Sequence, residues 1–268
     1  MTELVARIAV PGAGPFSRAW RTGAAGVALL LLAYGLAGAV DTTGVSAPLA
    51  LAGGVALIGF LLLTIRHYDT AIAVGLVLMG VVRFEPAPTD ITFAVIMSVA
   101  AMTGRFRLSR VPPLLRWIVA LLLIVNLASV TDVVSISAAV RFLLITVYLL
   151  IFALWLTAFV DSTRHARLVV VTWLVIAVVS AIVASLALHF PIPGRSFING
   201  SVDKGERATA LFKDPNVFGP FLIPIALILL EQHIAPRVRL LHMRAVSVWL
   251  CLLALTLGVL FSYSRAAW

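Results

Sequence analysis

Apolar runs separated by short polar, mostly basic segments make up nearly the whole chain. Uncharged runs at 22–40, 47–65, 168–190 and 245–263 are each long enough to cross a bilayer, and 142–160 makes a fifth. A crossing helix needs about 17–25 mainly apolar residues. Shorter runs at 71–82, 91–104, 117–130 and 217–230 need their flanks to complete a crossing, with arginine or lysine reaching back to the interface. The pattern predicts nine spans. Alternatively, the 71–82 and 91–104 runs together form one re-entrant hairpin, which leaves the sidedness of everything downstream unchanged.

Composition excludes the other classes. Of 268 residues, 62% are hydrophobic and 12% charged, with a mean hydropathy of +1.11. A soluble domain carries about a quarter charged residues to coat its surface. This chain cannot coat itself, so it is not a soluble globule, a disordered chain or a disulfide scaffold. Its one cysteine, Cys251, rules out an internal disulfide, and there is no CxxC pair. The expected fold class is all-α, a polytopic integral membrane protein.

Charge placement sets an orientation. With the N-terminus in the cytoplasm, every inner loop is basic: 66–69, 105–116, 164–167 and 237–244. The first outer loop has Asp41 and no base, and the second sets Arg83 against Glu85 and Asp90. This alternation is what the positive-inside rule demands. The net charge of +9 is spread between apolar runs, so it reads as membrane topology and no nucleic-acid partner is expected. One outer segment breaks the rule. Residues 196–213 hold Lys204, Arg207 and Lys213, and an anionic ligand is the natural counterpart. Ala37-Gly38-Ala39 resembles a cleavage site, but the run before it is long for a signal peptide and more spans follow, so it reads as a retained first span. The chain divides into a cytoplasmic segment (1–21), a seven-helix membrane region (22–190), an outer loop (191–216) and two further helices (217–268).

The motifs of soluble chemistry are missing. No GxxxxGK[ST], HExxH or EF-hand pattern occurs, which argues against an ATP-driven motor or a zinc protease within this chain. No cofactor and no metal are expected. The densest polar stretch, 194–216, contains Arg195, Asn199, Asp203, Lys204, Glu206, Arg207, Lys213, Asp214 and Asn216. It reads either as a solvated loop or as a site. Asp214-Pro215-Asn216 is how a helix starts, with Asp as cap and Pro in the first turn. Such a start also offers free N–H groups to a phosphate. Asp214 would repel an anion at close range, so the site would lie nearer Arg207 or Lys213. Pro220 and Pro224 interrupt the following run, as a kink or as the wall of a cavity. His189 reads as interfacial packing ahead of catalysis. Asp132 and Arg141 flank the outer end of the sixth span and could pair. Arg265 falls at the outer interface without a hydrophilic tail behind it, as if a helix were interrupted in mid-course.

Two stretches together carry a resemblance. Gly205-Glu206-Arg207-Ala208-Thr209-Ala210-Leu211-Phe212-Lys213-Asp214-Pro215-Asn216-Val217-Phe218-Gly219 resembles the R-x-x-G-x-F-x-[DN]-P-N segment of the O-antigen ligase and polysaccharide polymerase superfamily. About fifty residues on, Tyr263-Ser264-Arg265-Ala266-Ala267 resembles its T-x-S-R-[GA]-A motif at the end of the next span. The family has Gly where Ala210 stands, and usually Thr or Ser where Phe261 or Ser262 stands. The resemblance covers the first two thirds of a typical member and implies a fold similar to the GT-C membrane glycosyltransferases. It implies a metal-independent transfer of glycan from a polyprenyl-diphosphate donor to a sugar or lipid acceptor, at the periplasmic face of the bacterial inner membrane, in cell-envelope biogenesis. Arg207 and Arg265 would bind the diphosphate, supported by Lys213, Asn216 and Ser264. Members continue into a loop bearing a further arginine and a histidine central to the reaction. That histidine would be missing here, so the chain is expected to be truncated and inactive alone. Asp203, Glu206 and Asp214 are the weak local candidates for a base. The competing function is a transporter or lipid-linked sugar flippase, which would want ionisable residues at mid-membrane. The long spans contain no Asp, Glu or Lys.

Overall fold

The computed structural model describes residues 47–84, 87–130, 135–199 and 207–267. The first predicted span, 22–40, lies outside them, as do Glu85, Asp132, Asp203, Lys204 and Glu206. All regular secondary structure among the described residues is helical, with no strand. The helices are α1 (Ala47–Arg66), α2 (Tyr68–Leu78), α3 (Pro88–Met102), α4 (Pro113–Ser129), α5 (Ile136–Phe159), α6 (Thr163–His189), the short α7 (Arg195–Asn199), α8 (Pro215–Ile234) and α9 (Ala245–Ser262). Proline opens α3, α4 and α8 at the first helical position, where its missing N–H costs nothing. Ser162 caps α6 by accepting from the His165 N–H at 3.3 Å.

Among the described residues, four helices, α5, α6, α8 and α9, are long and apolar enough to cross a membrane. With 11 residues, α2 rises about 16 Å at 1.5 Å per residue, roughly half a hydrocarbon core. Non-helical residues 79–84 carry the chain onward. Arg141, expected to flank the sixth span, lies in the second turn of α5, because residues 136–140, apolar except for Ser137, extend the helix past it.

The surface carries the membrane signature. No residue of α4 is buried, and Trp117 is 76% exposed and Leu114 72%. With the exposed Leu51 and Val55 of α1 and Phe142 and Leu144 of α5, this is far more apolar surface than a soluble monomer leaves in water.

Two cores hold the bundle. One joins α2, α3 and α5 around Ile72, Phe93, Ile96 and Trp155. The other joins α6, α8, α9 and residues 208–212 around Ala181, Phe212, Leu222 and Leu255. Helix α6 touches both sides. Its Ala177, Ala181 and Ala184 are fully buried and Ser180 nearly so. Small residues let helix backbones approach closely. A Cβ on Gly258 of α9 would lie 2.8 Å from both Ala181 Cβ and Leu222 Cδ1, and one on Gly80 would lie 2.6 Å from Ile176.

Loops predicted on one side of the membrane lie together. At one end, Arg110 pairs with Asp161 at 2.6 Å and Arg164 with Asp69 at 2.8 Å. At the other end, the Val82 N–H donates to the Leu211 carbonyl at 3.0 Å, and Arg83 donates to the Phe197 carbonyl.

Two outcomes follow from this packing. Gly258→Ala should destabilise the protein by about 1–3 kcal/mol through overpacking, read as a lowered Tm in detergent. Gly53→Ala, with nothing within 4 Å of the new methyl, should cost nothing. The Asp161 carboxyl is held below its ordinary value, chiefly by its hydrogen bond with His165 at 2.8 Å and further by Arg110. A depressed carboxylate contributes stability above the unfolded value of about 4 and loses it as pH falls through the folded one. Tm should therefore drop more steeply below about pH 4 in the native chain than in Asp161→Asn. Superimposed curves would show that the pair adds nothing.

Candidate functional site

The site is built where α9 ends. Tyr263 adopts the left-handed conformation (φ 45°, ψ 34°), which stops the helix and leaves its last carbonyls without helical partners. Arg207 takes two of them. Its Nε donates to the Ser262 carbonyl and its Nη2 to the Tyr263 carbonyl, both at 2.9 Å. Nη2 also donates to Asn216 Oδ1 at 3.4 Å. Ser264 Oγ donates to the same Asn216 oxygen at 3.3 Å. Beneath, the Ser264 N–H donates to Ser262 Oγ at 3.2 Å, and that hydroxyl donates to the Val259 carbonyl at 2.6 Å. Ser262 and Ser264 are fully buried. The two stretches singled out in the sequence, around residues 207–216 and 263–267, thus meet in one joint.

Asp214 caps α8, accepting from the Asn216 N–H at 2.7 Å. Its Oδ1 serves that cap. The chain after Tyr263 folds back as a 3₁₀ turn (Arg265–Ala267) against α8. A Cβ on Gly219 would meet Ala267, Ser262 and Ser264 at 2.9 Å. The helix is therefore not cut in mid-course at Arg265. It ends at Ser262, because the left-handed Tyr263 turns the chain and Gly219 gives it room.

Residues 208–212 are held from below. The Ala208 N–H donates to the Phe261 carbonyl at 2.8 Å. Asn199 Oδ1 accepts from the N–H groups of Thr209 and Ala210, both at 3.2 Å, while its Nδ2 donates to the Ala184 carbonyl at 2.9 Å. Phe212 is buried against Phe218 and Phe221. Asn199 lay within the polar stretch read from the sequence, but nothing in the pattern assigned it this bridging role. His189 packs edge-on against Phe261 at 4.6 Å.

The cations divide by what they do. Arg207 spends Nε and Nη2 inside the protein. Arg265 is exposed and has no charged or hydrogen-bonding partner among the described residues. Lys213 is exposed at the entry to α8 and lines a cavity of about 1210 Å³ together with Arg141 and Asp90. Apolar residues from α5 and α8, including Val140, Leu144 and Val217, form much of its wall. Among the described residues, no three His, Cys, Asp or Glu side chains converge as a metal would require.

No protein-family model matches the chain, and no curated protein or solved structure gives a match.

Ala210 has φ +51°, at the position where the motif it resembles has glycine. A left-handed backbone costs a residue with a Cβ about 1–2 kcal/mol. Ala210→Gly should therefore stabilise the protein by about 1 kcal/mol, less what the freer unfolded chain gives back. An unchanged or lowered Tm would show that the turn relaxes in solution.

Proposed function

We propose that this chain is a polytopic membrane protein of the O-antigen ligase and polysaccharide polymerase type, binding a polyprenyl-diphosphate-linked glycan. The observation that carries it is the joint itself. Arg207, Asn216 and Ser264 come from two stretches about fifty residues apart, each resembling a motif of that superfamily, and they share hydrogen bonds at one end of the bundle. In this reading the nine predicted spans have the N-terminus in the cytoplasm of the bacterial inner membrane, the fold is GT-C-like, and the joint faces the periplasm.

The chemistry follows from charge. Transfer forms a bond between the sugar's anomeric carbon and an acceptor hydroxyl oxygen, and breaks the bond from that carbon to the diphosphate. The acceptor's proton passes to a base, and the electron pair leaves with the lipid diphosphate. Negative charge developing there needs fixed cations in a dry setting. Arginine suits this, since its planar fork binds phosphate with two parallel bonds and keeps its charge. Arg265, with no partner among the described residues, would meet the diphosphate directly. Arg207 holds the joint and offers what remains of its fork. Lys213 and Arg141 would stand where the apolar wall of the adjoining cavity takes the first isoprene units.

The structure separates two variants that look alike in sequence. Arg207→Ala removes a helix cap as well as a cation, so lost binding would be ambiguous. Arg265→Ala removes only the cation. It should weaken binding of undecaprenyl diphosphate by about tenfold or more, the worth of a charged hydrogen bond, at unchanged Tm. Undecaprenol should bind native chain and variant alike. Undiminished diphosphate binding by Arg265→Ala in native mass spectrometry would remove the proposal's central cation.

A further inference from the structure

The end of the bundle opposite the joint holds a second cavity, of about 900 Å³, that the reading above does not use. The turns after α1 and α3 and the start of α6 surround it. Five arginines line it: Arg66, Arg105, Arg107, Arg110 and Arg164. Asp161 answers Arg110, and Asp69 answers Arg164. The other three have no carboxylate partner among the described residues. Arg105 lies over the Tyr68 ring at 4.7 Å, and Arg107 Nε donates to the Gly104 carbonyl at 3.3 Å.

Topology alone explains basic residues at this end, but not their arrangement. Arginines that only orient a membrane protein need nothing beneath them. Here the cavity has an aromatic floor. Trp155 is 1% exposed, and its Nε1 donates to the Tyr68 hydroxyl at 2.8 Å. Tyr68 uses its oxygen as acceptor there, which leaves its own proton for an acceptor in the cavity. Trp155 and Phe159 stack at 5.8 Å, and Phe159 stacks on His165 at 4.4 Å. The wall is aromatic below and cationic at the rim.

We propose that this cavity binds a phosphate-bearing anion, either the headgroup of an anionic membrane lipid or a soluble phosphate. Arg66, Arg105 and Arg107 supply the charge. Basic pockets between helices are suited to anionic headgroups, each arginine contributing about a fivefold gain in affinity. Asp161 and Asp69 compensate Arg110 and Arg164, which leaves the charge of Arg66, Arg105 and Arg107 for a ligand.

The test uses the full chain, purified in detergent, with cardiolipin, zwitterionic phosphatidylcholine or inorganic pyrophosphate, read by native mass spectrometry and Tm. At least one of the two anions should bind better than phosphatidylcholine. Preference for cardiolipin alone assigns a lipid headgroup, and a Tm rise with pyrophosphate alone assigns a soluble phosphate. R105A/R107A should weaken that binding by about thirtyfold. R237A/R239A, on a basic loop outside the cavity, should leave it within about twofold. If R105A/R107A does not stay monodisperse, R66Q alone should weaken binding by about fivefold. Anions that bind no better than phosphatidylcholine would overturn the proposal, as would equal loss in R237A/R239A.

Discussion

Close backbone approach along α6 is the constraint on which the other features depend. Inside a membrane, water gives no hydrophobic push between helices, so association rests on packing and on satisfied polar groups. The buried Ala177, Ser180, Ala181 and Ala184 make a smooth stripe on which Gly258 of α9 and the tip of the α2–α3 hairpin settle. That places the end of α9 beside residues 207–212. It also sets Val82 against Leu211. With bulkier residues on α6, the helices would stand apart and the two motif stretches would not meet.

The joint then solves a local problem of hydrogen bonding. A helix ending in apolar surroundings leaves carbonyls that must find donors. Arg207 is long and carries several donors in a fixed fork, so one side chain closes the end of α9 and reaches the first turn of α8. Asn199 does the same for the left-handed turn at Ala210, from the opposite side. The arginine that looks from sequence like a ligand-binding cation is therefore also a structural tie, whereas Arg265 is exposed and has no partner among the described residues.

The two ends of the bundle differ in how they use charge. At the joint, most polar atoms serve the backbone. At the far end, carboxylates pair with two of the arginines around a cavity, and its aromatic floor is already hydrogen-bonded. A single alternating pattern of basic loops contributes to both. Its consequences differ because the side chains beneath differ.

The eight apolar runs after residue 46 were legible because hydrophobicity over some 11–27 residues is a local property, and it dictates helix whatever the neighbours do. The start of α8 was legible for the same reason, since Asp214 and Pro215 act within one turn. The common end shared by the 66–69, 105–110 and 161–165 turns also followed from counting crossings. Candidate cations could be named from the sequence, and the contact between the 207–216 and 263–267 stretches was suggested only by their resemblance to paired motifs. What each residue does was not legible. That Arg207 caps α9, that Asn199 bridges two segments, and that Ala210 and Tyr263 sit at positive φ all depend on residues far away in the chain. So does the gathering of Arg66, Arg105 and Arg107 around Trp155. Local sequence determines which segments are helices, because burial of each segment is its own affair. Tertiary structure alone decides which charges are spent and which are left over, because that depends on which carbonyls and carboxylates packing brings within reach.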